Sequence, residues 1–190
     1  AEVMWKPYSQ PGYLPYLMFS FQEAYDIFPA TYSPFKAPYD TLLPPLFDGD
    51  HKLYDVNQLV PPVPVDVLKE DVLKDFVRDE HHPLRKAMEE NSLANWKPER
   101  PMLLCYCKSD EQVNYRNSIV TWKCMRQLGA KNIKRRHAGR KFSHEVCALY
   151  SSMYMKLWFD SFVDGHSKGR HGPVGPRMLI RLSRMLYKGG

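Results

Sequence analysis

One apolar run dictates the architecture of the second half of this chain. Met102-Leu-Leu-Cys-Tyr-Cys107 follows Pro101 directly and ends at Lys108-Ser109-Asp110, and an uninterrupted apolar stretch between such punctuation reads as a β-strand covered on both faces. Asn114 to Leu128 follows as a helix, stopped by Gly129 where a left-handed residue is favoured. Asn132 to His137 is a second, less apolar strand candidate, expected nearer a sheet edge. After the loop Ala138 to Ser143, a long helix is expected from His144 or Glu145 to Val163, with Val146, Leu149, Met153, Leu157 and Phe162 along one side. Strand, helix, strand, helix makes a parallel unit with a right-handed crossover. Two parallel strands do not form a sheet by themselves, because parallel sheets are buried on both faces and need neighbours. No other stretch reads as a buried strand. The expected fold class is therefore α/β but partial: the last two parallel strands of a larger sheet, with flanking helices, the other strands supplied by a preceding segment or a partner chain.

Before Pro101 the grammar is different. Pro7, Pro11, Pro15, Pro29, Pro34, Pro38, Pro44 and Pro45 cut residues 1–64 into short pieces. One helix is expected to survive, about Leu14 to Ile27, with Leu17, Phe21 and Tyr25 at helical spacing. Leu46 to His51 reads as a turn and Val60 to Pro64 as an extended connector. Val65 to Arg78 and Pro83 to Asn91 read as two helices, the first with an apolar stripe of Val67, Val72, Leu73 and Phe76. The division that follows is a helical region over 1–100, a βαβα part over 101–163 and a tail over 164–190.

Charge and cysteine usage exclude several function classes. The net charge of +6 is concentrated at the end: residues 164–190 carry six cations against the single acid Asp164, which leaves +1 for the rest of the chain. A nearly neutral body makes a nucleic-acid surface a poor expectation. Cys105, Cys107, Cys124 and Cys147 form no CxxC pair and no zinc-type spacing with histidine, so neither a metal site nor another cofactor is expected. Cys105 and Cys107, two apart in a strand, share a face and read as small buried thiols, and the redox compartment stays open. The apolar runs are too short to span a bilayer, and no signal peptide is legible at the start.

The chemistry-bearing residues gather where open α/β sheets put their functional loops, after the carboxyl ends of the strands. Lys108-Ser-Asp110-Glu-Gln-Val113-Asn114 follows the first strand, and Gly139-Arg-Lys-Phe-Ser-His144 leads into the last helix. An aspartate after a strand is often a helix cap, and a histidine opening a helix is often a surface residue. Together, however, these stretches resemble the C-terminal half of an α/β-hydrolase. That family carries its acid after the penultimate strand and its histidine after the last. Its strand followed by Gly-x-x-Asp-x-x-Val-Pro is similar to Cys107-Lys-Ser-Asp110-Glu-Gln-Val113-Asn114, with Asn117-Ser118 beyond. Its Leu-x-x-Gly-Ala idiom is similar to Arg126-Gln-Leu128-Gly129-Ala130, with Arg126 in the place of the leucine. The resemblance implies that Asp110 holds the imidazole of His144 in the tautomer that takes a serine proton.

Upstream, Tyr13 to Tyr16, Pro38-Tyr39, Leu46 to Gly49 and Asn91 to Pro98 resemble the cap region of secreted bacterial hydrolases related to fungal secretory lipases and prolyl oligopeptidase-like enzymes. The resemblance implies a cap that sets substrate choice among small-molecule esters, lipids and peptides, and it leans toward a secreted or cell-envelope location. The departures are specific. Cys107 stands where the family has glycine and Asn114 where it has proline. No Gly-x-Ser-x-Gly elbow exists in the chain, and neither Ser109 nor Ser143 sits on a strand-to-helix turn of that kind. Hence the expectation of a serine-hydrolase fragment, inactive alone, whose partner is the missing N-terminal half. The alternative is a noncatalytic binding module that reuses the same fold.

The tail is separate. Arg177, Arg181, Arg184 and Lys188 recur on one face of an expected helix over 176–188, with Leu179, Leu182, Met185 and Leu186 mostly on others, after a link containing Gly165, Gly169, Gly172 and Gly175. Weak contact with an anionic membrane surface, docking onto the parent domain or a subunit, and an extension without function are all open to it.

Overall fold

Proline punctuation shapes the first of two units, Ala1–Ser92 and Leu93–Gly190, into which the chain divides in a computed structural model that describes residues 2–163 and 174–187. The sequence places its change of grammar at Pro101, whereas residues 93–100 belong to the second unit. In the first unit α1 (Tyr13–Tyr25) is followed by short α2 (Tyr39–Leu42), α3 (Leu53–Leu59), α4 (Glu70–Arg78) and α5 (Pro83–Glu90). Helix α1 stops at Asp26, whose left-handed backbone (φ 47°) turns the chain out, and the Gln22 side chain then clamps both the N–H and the C=O of Phe28, at 2.9 and 3.0 Å. Asn57 of α3 accepts the Gly12 N–H at 2.8 Å, which ties α3 to the start of α1. Leu14, Met18, Phe35, Leu43, Val56, Val67 and Val72 meet in the buried core.

The helix expected over Val65 to Arg78 is broken. Pro64–Val67 is a 3-10 turn, Leu68 is extended and bridges antiparallel to Phe35, and only Glu70–Arg78 is α-helical. The backbone explains the break, since Lys36 N–H bonds to Val67 C=O and Lys69 N–H to Pro34 C=O, each at 3.0 Å, while Phe35 is buried between them. A tertiary pairing that buries an aromatic ring outweighs the local helical preference of the segment. The turn expected at Leu46 to His51 is anchored by Asp48, whose carboxylate accepts the N–H groups of Asp50 (2.9 Å) and His51 (3.0 Å) and lies 2.9 Å from the His51 ring. Those bonds hold the Asp48 carboxyl well below the usual carboxylate range.

The second unit is the βαβα arrangement: β1 (Met102–Cys107), α6 (Arg116–Gln127), β2 (Ile133–Gly139) and α7 (His144–Val163), followed by α8 (Val174–Leu186). The strands pair in parallel, Met102 opposite Ile133 and Tyr106 opposite His137, with a register shift between Tyr106 and Cys107. Helix α6 begins at Arg116, later than expected, because Asn114 is spent accepting the Arg116 N–H at 2.9 Å. It ends at Gly129, whose φ of +89° is the left-handed stop.

Two expectations about burial hold only in part. Strand β1 packs on both faces, Met102 and Leu104 against the Met125 cluster and Cys105 and Cys107 against the α7 cluster, yet Met102 to Tyr106 are half-buried and only Cys107 is fully buried. Among the described residues the sheet has two strands, so one edge of β1 carries no strand partner. The stripe expected on α7 is split: Val146 and Leu157 pack against the core, whereas Leu149, Met153 and Phe162 are exposed, and Cys147, Tyr150 and Tyr154 are the fully buried hydrophobic residues. This helix is apolar around most of its circumference, so periodicity names no single inward face. Instead Cys107 selects it.

Helix α8 packs on this unit through Ile180, which joins the cluster of Phe142, Tyr150 and Tyr154, and Arg184 donates to the Tyr154 hydroxyl at 3.2 Å. Its apolar residues Met178, Leu179, Met185 and Leu186 face solvent. Lys188 and the glycine-bearing link over 164–173 lie outside the described residues. Among those residues no helix is long and apolar enough to cross a membrane.

Candidate active site

The register shift at the carboxyl end of the sheet sets the geometry of the site. A strand irregularity re-aims whatever follows it, and here Lys108-Ser109-Asp110 follows at once. Gly139 closes β2 opposite Cys107 and accepts the Lys108 N–H at 3.2 Å. A Cβ at Gly139 would overlap the buried Phe142 ring, so the close approach of the Phe142 loop to the strand end demands glycine there. That loop delivers His144 to the first position of α7.

Asp110 and His144 come together. His144 Nδ1 lies 3.1 Å from each carboxylate oxygen of Asp110. The Asp110 side chain is only 9% exposed and that of His144 is 36% exposed, so the pair has an inner acid and an outer, approachable base. Asp110 is itself fixed, because its Oδ1 accepts the backbone N–H of Gln112 at 3.0 Å and of Val113 at 2.8 Å. With Nδ1 facing a carboxylate, the proton belongs on Nδ1 and the lone pair on Nε2, which is the arrangement of a general base. His144 is held from its backbone too: its N–H donates to Glu111 Oε2 at 3.1 Å.

Sequence reasoning misses two supports of this pair. Glu111 stands in the loop pattern but nothing in its spacing announces that it caps α7. The other is a disulfide. The expectation of buried thiols is corrected for Cys107, which is bonded to Cys147 across 40 residues of sequence, with Cα atoms 5.8 Å apart. Such a separation carries no local motif. The bond joins β1 just before the Asp110 loop to the first turn of α7 just after His144, so it staples the two elements that carry the pair. Cys105 and Cys124 stay free and half-buried, and burial pushes the Cys105 thiol up to about 11 against the pull of Arg136. Ser109 lies on the turn after β1 and Ser143 directly precedes α7, its carbonyl accepting the Cys147 N–H at 2.8 Å, and neither stands in a Gly-x-Ser-x-Gly sequence. Among the described residues no three His, Cys, Asp or Glu side chains group as metal ligands would.

Neither a family model nor a curated protein matches the sequence. Solved structures do match its fold. The rice cell wall degrading esterase LipA from Xanthomonas oryzae superposes with a TM-score of 0.66 at 23% identity, over 82% of this chain and 43% of the esterase. Its ligand-bound form gives the same values. A Legionella pneumophila protein assigned by name as a hydrolase superposes with a TM-score of 0.65 at 20% identity, over 77% of this chain and 40% of its own. This chain spans about two fifths of the length of these proteins and shares their fold over that part.

Proposed function

We propose that this chain is the acid-and-histidine part of a serine hydrolase that cleaves carboxylic esters or peptide bonds, and that it is inactive without a segment carrying the nucleophile. The observation that carries the reading is the 3.1 Å contact of His144 Nδ1 with both oxygens of a sheltered Asp110. In the reaction a serine Oγ–H on the other segment gives its proton to His144 Nε2 as the oxygen attacks the substrate carbonyl. Asp110 keeps the Nδ1 proton in place and stabilises the imidazolium. The same Nε2 proton then passes to the leaving group as the tetrahedral intermediate collapses to the acyl-enzyme, and a water repeats the cycle to release the acid.

Two features support an incomplete sheet. One edge of β1 has no strand partner among the described residues, and the half-buried residues of β1 face too little cover for a parallel strand. Helix α7 adds an exposed apolar side with Leu149, Met153, Phe159 and Phe162. The Cys107–Cys147 bond is chemistry of an oxidising compartment and supports secretion or residence in the cell envelope.

The test is labelling with a fluorophosphonate probe. The chain alone should not react, whereas a longer polypeptide that adds a Gly-x-Ser-x-Gly segment should react, and His144→Ala should abolish the reaction. Labelling of the chain by itself would overturn the missing-nucleophile reading, and labelling independent of His144 would overturn its role as base.

A further inference from the structure

The opposite end of the sheet carries a cluster that the hydrolase reading does not use. A cavity of about 370 Å³ opens around the start of β2, away from the carboxyl strand ends that hold Asp110 and His144. Lys134, Arg135, Arg136 and Arg177 line it together with the indoles of Trp122 and Trp158, and no carboxylate is among its lining residues. Arg136 and Arg177 bring two guanidinium groups to one cavity, and like charges brought together repel unless an anion joins them.

These side chains are held in place. The Arg135 guanidinium stacks 4.2 Å over the Trp122 ring and the Arg136 guanidinium 4.2 Å over the Tyr154 ring, contacts that leave the guanidinium edges free to donate. Arg177 Nη2 and Trp158 Nε1 are buried and have no hydrogen-bond partner. A buried donor without an acceptor is costly, and two at one basic cavity point to a ligand that brings acceptors.

We infer that this cavity binds a phosphate monoester, its dianion held by Arg136, Arg177 and the Trp158 indole N–H and its organic part lying against the indole rings. Guanidinium forks match the paired oxygens of a phosphate, and a double negative charge answers the two guanidinium groups of Arg136 and Arg177 better than a carboxylate does. The inference stands apart from the hydrolase reading, since no residue of it touches Asp110 or His144. The phosphate has two sources, a soluble ester or the headgroup of a phosphatidate, and α8, which supplies Arg177, also presents the exposed apolar Met178 and Leu182.

The experiment follows the tryptophan indole N–H resonances of the full chain by NMR during titration with phenyl phosphate at low salt. A saturable shift of the Trp158 signal is expected, weakened about tenfold by Arg177→Gln and unchanged by Arg116→Gln on α6. Arg136→Gln serves as the second variant if Arg177→Gln alters the melting temperature. Phenylacetate, a monoanion of similar shape, should bind more weakly. Vesicles of phosphatidic acid that compete with phenyl phosphate and lose binding in Arg177→Gln identify a lipid headgroup. Phenyl phosphate binding without vesicle binding identifies a soluble ester. No saturable shift, equal affinity for phenylacetate, or full affinity in both arginine variants would overturn the site.

Discussion

Reducing the Cys107–Cys147 bond should destabilise the second unit far more than any other single chemical change to it. The loop that the bond closes is 40 residues long, and loop-closure entropy for that length is worth about 4 kcal/mol at 25 °C. Both sulfurs stay in the protein on reduction, and Cys107 and Cys147 are buried, so no cavity forms and the difference reports the cross-link itself. The assay is urea denaturation of the oxidised chain and of chain reduced in denaturant and refolded with phosphine present. Trp122 and Trp158 fluorescence reports on the second unit. With a slope of about 1–3 kcal/mol per molar urea, the midpoint should fall by at least ~1 M. A Cys105→Ser/Cys124→Ser variant should show the same fall, because those thiols lie outside the bond. A midpoint that moves by less than ~0.3 M on reduction, in either protein, would refute the reasoning.

Two further outcomes are expected from the same unit. Gly139→Ala should lower its stability by about 2 kcal/mol, roughly 10 °C in melting temperature, because the new methyl overlaps the buried Phe142 ring; Gly139→Ala/Phe142→Leu should recover part of the loss, and an unchanged melting temperature in the single variant would refute the overlap. His137 is held below its ordinary value of 6.5 by desolvation and then by Arg184 and Lys108, so the folded state resists protonating it. Its contribution is intact above pH 6.5 and is lost as pH falls through the lower folded value, with a slope no steeper than about 1.4 kcal/mol per pH unit. Denaturation curves for wild type and His137→Gln between pH 7.5 and 5 check this, and identical slopes would dismiss it.

Backbone punctuation and strong periodicity were readable without coordinates. Pro101 and Lys108 bracket β1, Gly129 ends α6, and the order of strand and helix implies that β1 and β2 run parallel, though not that Met102 stands opposite Ile133. Those signals are local: each depends on residues within a few positions of one another. The loops bearing Asp110 and His144 were readable from order and resemblance, but order does not determine a distance, and their 3.1 Å contact depends on the register shift, Gly139 and Phe142 acting together.

Only tertiary structure decided the rest. Val65 to Arg78 has the pattern of one helix, yet Pro34 and Lys36, on either side of the buried Phe35 and some thirty residues away in sequence, take the backbone of Lys69 and Val67 and break it. Helix α7 is apolar on several sides, and its buried face is chosen by a partner, Cys107, that no short-range pattern links to Cys147. In the same way the cations of β2 and of α8 look like a strand edge and a basic tail until packing brings Arg136 and Arg177 to one cavity. Local grammar is written by neighbours in sequence, whereas burial, disulfide pairing and charge convergence are set by neighbours in space.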